Sequence, residues 1–187
     1  MTKVIILNGS PRPRGNTASM IDAFEKAAKD LGIEVHRYNM FSLNIRDCRE
    51  CNACYRPPER PCIQKDDFNP IAEDIRTADG IVFSSPVFWF SMTANLKLII
   101  DRMYCYSGLS FDIGEKKVGI IAAAGDNDPD TFECLVDPIE KSCKLMGWKV
   151  VGKVLAGDVM ESKDADKAGW PAKAAEMAKL FAEPKAA

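Results

Sequence analysis

Short apolar runs alternate with segments of helical periodicity along the chain, and this alternation limits the fold more than any other feature. The first run, residues 4–7, is continuous and mostly β-branched, as expected of a strand buried on both faces. Further strands are predicted at 33–38, 80–84, 118–124 and 148–155. Apolar residues at helical spacing predict helices at 17–31, 70–77, 93–103, 132–146 and 170–181.

Strands that alternate with helices are expected to be parallel and joined by right-handed crossovers. Five such strands, with helices on both faces, predict an α/β, doubly wound parallel sheet of order 2-1-3-4-5. The 187 residues suit a single domain, without an internal repeat. We therefore expect one domain over 1–187, with a cysteine-rich loop inserted at about 41–66, where no regular element is predicted.

The charge balance and the apolar runs exclude several classes of protein. With 27 acidic and 25 basic residues, the net charge of −2 argues against binding to nucleic acid or an anionic membrane. No apolar run reaches the roughly 18–20 residues that a membrane-spanning helix needs, and the start of the chain does not resemble a secretion signal. We expect a cytoplasmic protein, in which clustered cysteines indicate metal or redox chemistry.

A loop rich in hydrogen-bond donors follows the first strand and leads directly into a helix. Its side-chain donors are Ser10, Arg12, Asn16 and Thr17. The N-terminus of a helix favours anions, and ligands of doubly wound sheets bind where the strands end. The loop has neither a Walker A pattern nor G-x-G-x-x-G, so it favours a single phosphate. The alternative is that Asn16 and Thr17 only cap the helix.

Aromatic and small residues follow the third and fourth strands. Phe88, Trp89 and Phe90 are consecutive, and a planar ligand can stack against at least one of them. Alternatively, all three pack beneath the next helix. Gly125 and Asp126 follow the fourth strand, where small residues allow a planar ligand to approach the backbone.

Residues for acid–base or acyl-transfer catalysis are scarce. The single histidine, His36, falls within the predicted second strand and away from the strand ends. No serine lies in a G-x-S-x-G pattern. Hydrolysis and acyl transfer are therefore poorly supported.

Four cysteines, Cys48, Cys51, Cys54 and Cys62, form the pattern C-x2-C-x2-C-x7-C. The same C-x2-C-x2-C opening occurs in loops that bind iron–sulfur clusters, whereas structural zinc more often uses separated C-x2-C pairs. Spacing constrains the geometry of a site but not the identity of its metal. A 4Fe–4S cluster, free or disulfide-paired thiols, and zinc all remain open.

The segments GSPRPRGNT and SSPVFWFSMTANLKLIIDR, in this order and at this spacing, resemble the NADPH-dependent FMN reductase family of flavodoxin-like flavoproteins. The resemblance covers roughly residues 3–155 and implies a flavodoxin-like fold with FMN as cofactor. It implies that the FMN phosphate is held by Ser10, Arg12, Asn16 and Thr17. It also implies that the isoalloxazine is lined by Pro86, Val87, Phe88, Trp89 and Phe90, with Gly125 and Asp126 near the other edge. Hydride transfer would then occur at the flavin N5, without a catalytic protein residue.

The cysteine pattern is similar to the compact motif of iron–sulfur flavoproteins, a subgroup that carries FMN and a 4Fe–4S cluster, usually in oligomers. The resemblance implies an oxidoreductase that passes electrons between NAD(P)H, or a ferredoxin-like carrier, and an acceptor, with Cys48, Cys51, Cys54 and Cys62 as cluster ligands. A homodimer or homotetramer is expected. The alternatives are an NADPH-dependent FMN or quinone reductase without a cluster, a non-enzymatic flavodoxin-like electron carrier, and a zinc-stabilised binding module.

Overall fold

The computed structural model describes residues 1–56, 61–107 and 113–182, which are arranged around one parallel sheet. Its strands are β1 (Lys3–Asn8), β2 (Glu34–Asn39), β3 (Gly80–Pro86), β4 (Lys117–Ala123) and β5 (Lys149–Ala156). All neighbouring pairs are parallel, in the order β2-β1-β3-β4-β5. The predicted fold class and strand order are confirmed.

Helices cover both faces of the sheet. They are α1 (Asn16–Asp30), α2 (Phe68–Thr77), α3 (Ala94–Arg102), α4 (Asp130–Leu145), α5 (Asp164–Lys167) and α6 (Trp170–Ala182). The sequence did not predict α5, because its four residues are too few for a helical repeat of apolar positions to be recognised. Among the described residues, no helix is both long and apolar enough to cross a membrane.

Alternate side chains of each central strand enter two separate cores. On β1, Ile5 and Leu7 pack with α2, α3 and α4, whereas Val4 and Ile6 pack with α1 and α6. The second core is closed by Phe24 and Phe181, whose rings meet edge to face at 5.4 Å. Because both faces of the central strands are buried, their sequences are continuously apolar, and the carboxyl ends of the strands are left as the exposed edge.

The segment predicted as a loop insertion at 41–66 contains only short helical turns, at Met40–Ser42 and Ala53–Tyr55, in its described part. Residues 57–60 lie outside the described residues. Side chains satisfy much of the remaining backbone: the Cys62 amide donates to Asn69 Oδ1 at 2.8 Å, and Gln64 Nε2 donates to the Asp47 carbonyl at 2.9 Å. The segment is therefore held against the start of α2 by polar contacts.

Candidate functional site

A cleft of about 210 Å³ opens at the carboxyl ends of β1, β3 and β4. It lies where ligands bind in doubly wound sheets. Eight of the eleven residues predicted to contact the cofactor line it, namely Ser10, Arg12, Asn16, Thr17, Pro86, Val87, Phe88 and Gly125. Trp89, Phe90 and Asp126 do not line it.

The N-terminus of α1 faces this cleft without a side-chain cap among the described residues. Gly15 precedes the helix in an extended conformation, so the amides of the first turn, from Asn16 onward, have no partner within the helix. The exposed Arg12 guanidinium lies beside them and makes no ion pair with any residue that the structure describes. This corner of the cleft therefore combines backbone donors, a helix dipole and an unpaired cation, all of which favour an anion.

The Asn16 side chain has a different role from a helix cap. Its Nδ2 donates to the carbonyls of Val159 and Glu161, at 3.0 and 2.9 Å, and its Oδ1 accepts from the Ala165 amide at 3.2 Å. Asn16 thus ties the start of α1 to the loop after β5. Its side-chain donor is already engaged, and its backbone amide is the group left for a ligand.

The loop after β5 forms a further wall of the cleft, which sequence reasoning missed. Val159 and Met160 line it, and Met160 packs so close to Gly125 that a Cβ there would lie 3.1 Å from Met160 Cγ. The rule that ligands bind at strand ends could have identified this loop, because β5 ends at Ala156.

Trp89 and Phe90 occupy the tip of a tight turn outside the cleft. The flanking Phe88 and Ser91 pair across it, with N–H···O distances of 2.8 and 3.1 Å. Trp89 and Phe90 both have positive φ, at 49° and 64°, and are 94% and 58% exposed. Both aromatic residues hold a left-handed backbone that usually requires Gly or Asn, and the turn directs them into solvent.

Asp126 is engaged next to the cleft rather than in it. Its Oδ1 accepts from Thr131 Oγ1 at 2.6 Å and from the Asp128 amide at 3.1 Å. The carboxylate therefore organises the turn that leads into α4, which fixes the loop after β4.

The four predicted metal-ligating cysteines meet in space. Cys48, Cys51, Cys54 and Cys62 line one cavity of about 20 Å³, roughly the room of one water molecule. Burial raises the pKa of the Cys54 thiol, and the neighbouring cysteines raise it further, partly offset by a backbone hydrogen bond. All seven cysteines of the chain lie within the described residues and are free thiols.

These thiols do not converge on a single metal ion. Within residues 1–56, 61–107 and 113–182, no three Cys, His, Asp or Glu side chains are placed to hold one. Zinc would bring its thiolates to about 4 Å from each other, given Zn–S bonds of about 2.3 Å. The cysteines thus surround a common space without forming a mononuclear site.

A buried ion pair forms the floor of this cysteine site. Arg102, the last residue of α3, donates from Nη1 to Asp66 Oδ2 at 2.7 Å and from Nη2 to Oδ1 at 3.2 Å. The two side chains are 1% and 0% exposed. Nη1 also donates to the Arg46 carbonyl at 2.8 Å, which anchors the beginning of the cysteine segment.

Two tyrosines attach the cysteine segment to the turn after α3. The rings of Tyr55 and Tyr104 are 5.3 Å apart, Tyr104 Oη donates to Asn52 Oδ1 at 3.2 Å, and Tyr55 Oη lies 2.8 Å from Ser107 Oγ. The segment is therefore held in place by these aromatic contacts as well as by the ion pair.

Comparisons with known proteins agree with this architecture. The sequence pattern of the family described as NADPH-dependent FMN reductase matches residues 2–132. An iron-sulfur flavoprotein of Archaeoglobus fulgidus is 30% identical over 159 residues, covering 84% of this chain and 71% of that protein. Another, from Methanocaldococcus jannaschii, is 32% identical over 150 residues, covering 80% and 76%. The crystal structure of an azoreductase from Bacillus anthracis superposes with a TM-score of 0.72 at 19% identity, covering 95% and 99%, and shows the shared fold.

Proposed function

Because the chain belongs to the NADPH-dependent FMN reductase family, we propose that it is an iron–sulfur flavoprotein with FMN in the cleft and a 4Fe–4S cluster at the four cysteines. Family membership makes it an FMN-dependent oxidoreductase. The proposed reaction passes electrons between NAD(P)H, or a ferredoxin-like carrier, and an acceptor.

One observation carries the FMN assignment, namely the uncapped start of α1 beside the unpaired Arg12 in a cleft at the strand ends. The phosphate would be held by the first amides of α1, the Arg12 guanidinium and the hydroxyls of Ser10 and Thr17. Asn16 would keep the loop in place through its contacts with the loop after β5. These donors fit a terminal phosphate ester.

The remaining walls fit a flat ring. Pro86, Val87 and Phe88 give the cleft an apolar edge, and Gly125 and Met160, which pack together, line it as well. Trp89, Phe90 and Asp126 would contact the cofactor only after the turn or loop rearranges. When bound, FMN supplies the hydride-accepting group, so the protein contributes binding, orientation and exclusion of water.

A protein acid or base at the cleft is not needed for this chemistry. His36 lies in β2, where its Nδ1 is 2.8 Å from Asp74 Oδ2 and its Nε2 is 2.9 Å from Glu34 Oε1. These contacts place the histidine in a carboxylate network away from the cleft residues, consistent with a structural role.

The cluster assignment is supported by the donor set. Four thiols line one cavity, in the spacing of cluster-binding loops. The alternative, an FMN or quinone reductase without a cluster, is favoured by the small size of that cavity and by the exposure of Cys48 and Cys51. A third possibility is a flavodoxin-like carrier that turns over no small molecule.

Anaerobic purification with metal analysis separates these functions. The proposal expects about one FMN and four irons with four acid-labile sulfides per chain, because the cluster is 4Fe–4S. Cys51→Ser should lose the iron and keep the flavin. Cys134→Ser is the matched control, since Cys134 is an exposed cysteine on α4 outside the cysteine site. A protein with flavin and without iron supports the simple reductase instead.

Anaerobic reduction identifies the electron donor. Bleaching of the flavin by NADPH or NADH supports a reductase. Bleaching only by a reduced ferredoxin supports the carrier function. The free thiols of the chain suit a reducing compartment such as the cytoplasm.

A homodimer or homotetramer is proposed from the apolar surface near the cleft. Trp89, Phe90 and Met160 are large, apolar and exposed, and such patches often mark interfaces. Light scattering of the flavin-loaded protein tests this directly, and a monomer would contradict it.

A further inference from the structure

The Arg102 guanidinium is buried, but its hydrogen-bonding capacity is not exhausted. Its two terminal nitrogens donate hydrogen bonds to Asp66 and the Arg46 carbonyl. Its Cζ lies over the Phe68 ring, 4.5 Å from the ring centroid. The remaining Nε–H is fully buried and has no hydrogen-bond partner among the described residues. A buried donor without a partner costs about 1–3 kcal/mol, so its retention calls for an explanation.

The position of Arg102 connects this unpaired donor with the cysteines. Arg102 lines the same cavity as Cys48, Cys51, Cys54 and Cys62. Burial lowers the pKa of Arg102, but the neighbouring Asp66 and Cys62 side chains raise it overall, which places the Cys62 sulfur close to the guanidinium. Because arginine stays protonated in proteins, this cation is fixed at the cavity at every accessible pH.

The Asp66 carboxylate pairs with Arg102 on the side of the guanidinium away from Nε. It accepts from the amides of Arg46 and Phe68, at 3.1 and 3.2 Å, in addition to Arg102. These two amides carry no net charge, so the Arg102–Asp66 pair is neutral overall, but its positive end faces the cavity, which Arg102 lines and Asp66 does not. The guanidinium remains oriented, with its planar fork held by Asp66 and its Nε edge left without a hydrogen bond.

We propose that Arg102 is a positioning and charge-compensating residue of the cysteine site, whose unpaired Nε–H donates to the Cys62 sulfur when a cluster is bound there. This inference rests on the proposed function. A hydrogen bond to a ligating sulfur stabilises the more negative, reduced form of a cluster and so raises its reduction potential. Asp66 then acts one step further away, by orienting the guanidinium.

The test compares variants of the full chain, loaded anaerobically with iron and sulfide and with FMN. Arg102→Met alone would leave Asp66 as an unpaired buried charge, which is strongly destabilising. The main variant is therefore Arg102→Met combined with Asp66→Asn, with Asp66→Asn alone retaining the guanidinium. Arg37→Met is the matched control, because Arg37 also has a buried Nε without a hydrogen bond but forms ion pairs with Asp22 and Glu25 and does not line the cysteine cavity.

The readouts are iron per FMN and the midpoint potentials of the cluster and the flavin. We expect the double variant to lose at least half of its iron or to shift the ratio of reduced to oxidised cluster about tenfold toward the oxidised form. That shift equals about 59 mV for a one-electron couple. The flavin potential and Arg37→Met should stay near the wild-type values. Asp66→Asn keeps the guanidinium but orients it less firmly, so it should give a smaller effect than the double variant.

Three results would count against the inference, and they are distinguishable. If the double variant keeps its iron and its cluster potential, Arg102 has no role at the site. If Asp66→Asn alone reproduces the full effect, the ion pair acts only structurally and the assignment to the guanidinium is overturned. If the wild-type protein binds FMN but assembles no iron–sulfide group, the cluster function itself fails and this inference with it.

Discussion

The Thr93 hydroxyl donates to the Gly9 carbonyl at 2.8 Å, joining residues 84 positions apart in the sequence. The Thr93 amide donates in turn to Ser85 Oγ at 3.0 Å. Because these contacts join the loop after β1, the end of β3 and the start of α3, they fix the mutual position of two walls of the cleft. Gly9 is required at this junction, since a Cβ there would lie 2.6 Å from Thr93 Oγ1 and 2.9 Å from Leu96 Cβ.

Gly9→Ala is therefore expected to separate the two walls. We expect a loss of about 1–3 kcal/mol in the free energy of unfolding, typical of overpacking, together with weaker FMN binding. Thr93→Val should cost about 1 kcal/mol through the lost hydrogen bond, and Thr93→Ser should cost less because the hydroxyl remains. Urea unfolding and fluorescence titration with FMN measure both effects. Gly9→Ala with wild-type stability and affinity would contradict the proposed junction.

Arg12→Met should weaken FMN binding by roughly 10- to 100-fold, because a charge-assisted hydrogen bond contributes about 1.5–3 kcal/mol. The effect should shrink at high salt, since the site is open to solvent. Arg14→Met is the control, because Arg14 lies in the same loop but does not line the cleft. Affinities measured by fluorescence titration at two salt concentrations test this. Equal losses in the two variants would indicate a general charge effect and remove Arg12 from the phosphate site.

The backbone of the turn at Trp89–Phe90 is strained, and we expect the two aromatic rings to have a function that this strain maintains. Two bulky residues with positive φ cost about 1–3 kcal/mol each. Replacement by Asn-Gly, the preferred pair for such a turn, should raise the free energy of unfolding by at least about 1 kcal/mol and lower oligomer stability or activity. Trp89→Ala with Phe90→Ala removes the rings and keeps a residue with a Cβ at both positions. If this variant gains as much stability as Asn-Gly, the gain comes from the lost rings and not from backbone strain.

The fold could be predicted from the sequence because its central strands are buried on both faces. Continuous β-branched runs such as 4–7 have few alternatives, and parallel pairing with right-handed crossovers then leaves one common strand order. The corner around Arg12 was predictable for the same reason, since a donor-rich loop follows β1 and precedes α1 without interruption.

Other parts of the site depend on contacts that no local pattern encodes. The sequence favours Trp89 and Phe90 as ring-stacking residues, but the Phe88–Ser91 pairing turns them outward. Asparagine is a typical phosphate ligand or helix cap, yet the Asn16 side chain donates hydrogen bonds to carbonyls more than 140 positions away in the sequence. The buried Arg102–Asp66 ion pair likewise joins two segments that are distant in the sequence. The spacing of residues within a motif cannot predict such a pair.

Acid stability should depend on Asp74 in the network beside β2. Burial alone would raise the pKa of Asp74, but hydrogen bonds from Lys3, Tyr38 and His36 lower it to about 2. A depressed carboxyl pKa contributes stability above its unfolded value of about 3.9, and this contribution is lost as the pH falls toward 2. Because Asp74 is partly exposed, we expect the contribution to be about 1–2 kcal/mol, after screening by solvent is allowed for.

Asp74→Asn should therefore unfold more easily at pH 6 and lose less stability than the wild type between pH 5 and 2. Urea unfolding across this range measures the difference in slope. Asp137→Asn is the control, because Asp137 pairs with Lys141 on the exposed face of α4, where an ion pair contributes little. If the wild type and Asp74→Asn lost stability in parallel over this pH range, the network would not hold Asp74 in its charged form. The assignment of a lowered pKa to Asp74 would then be wrong.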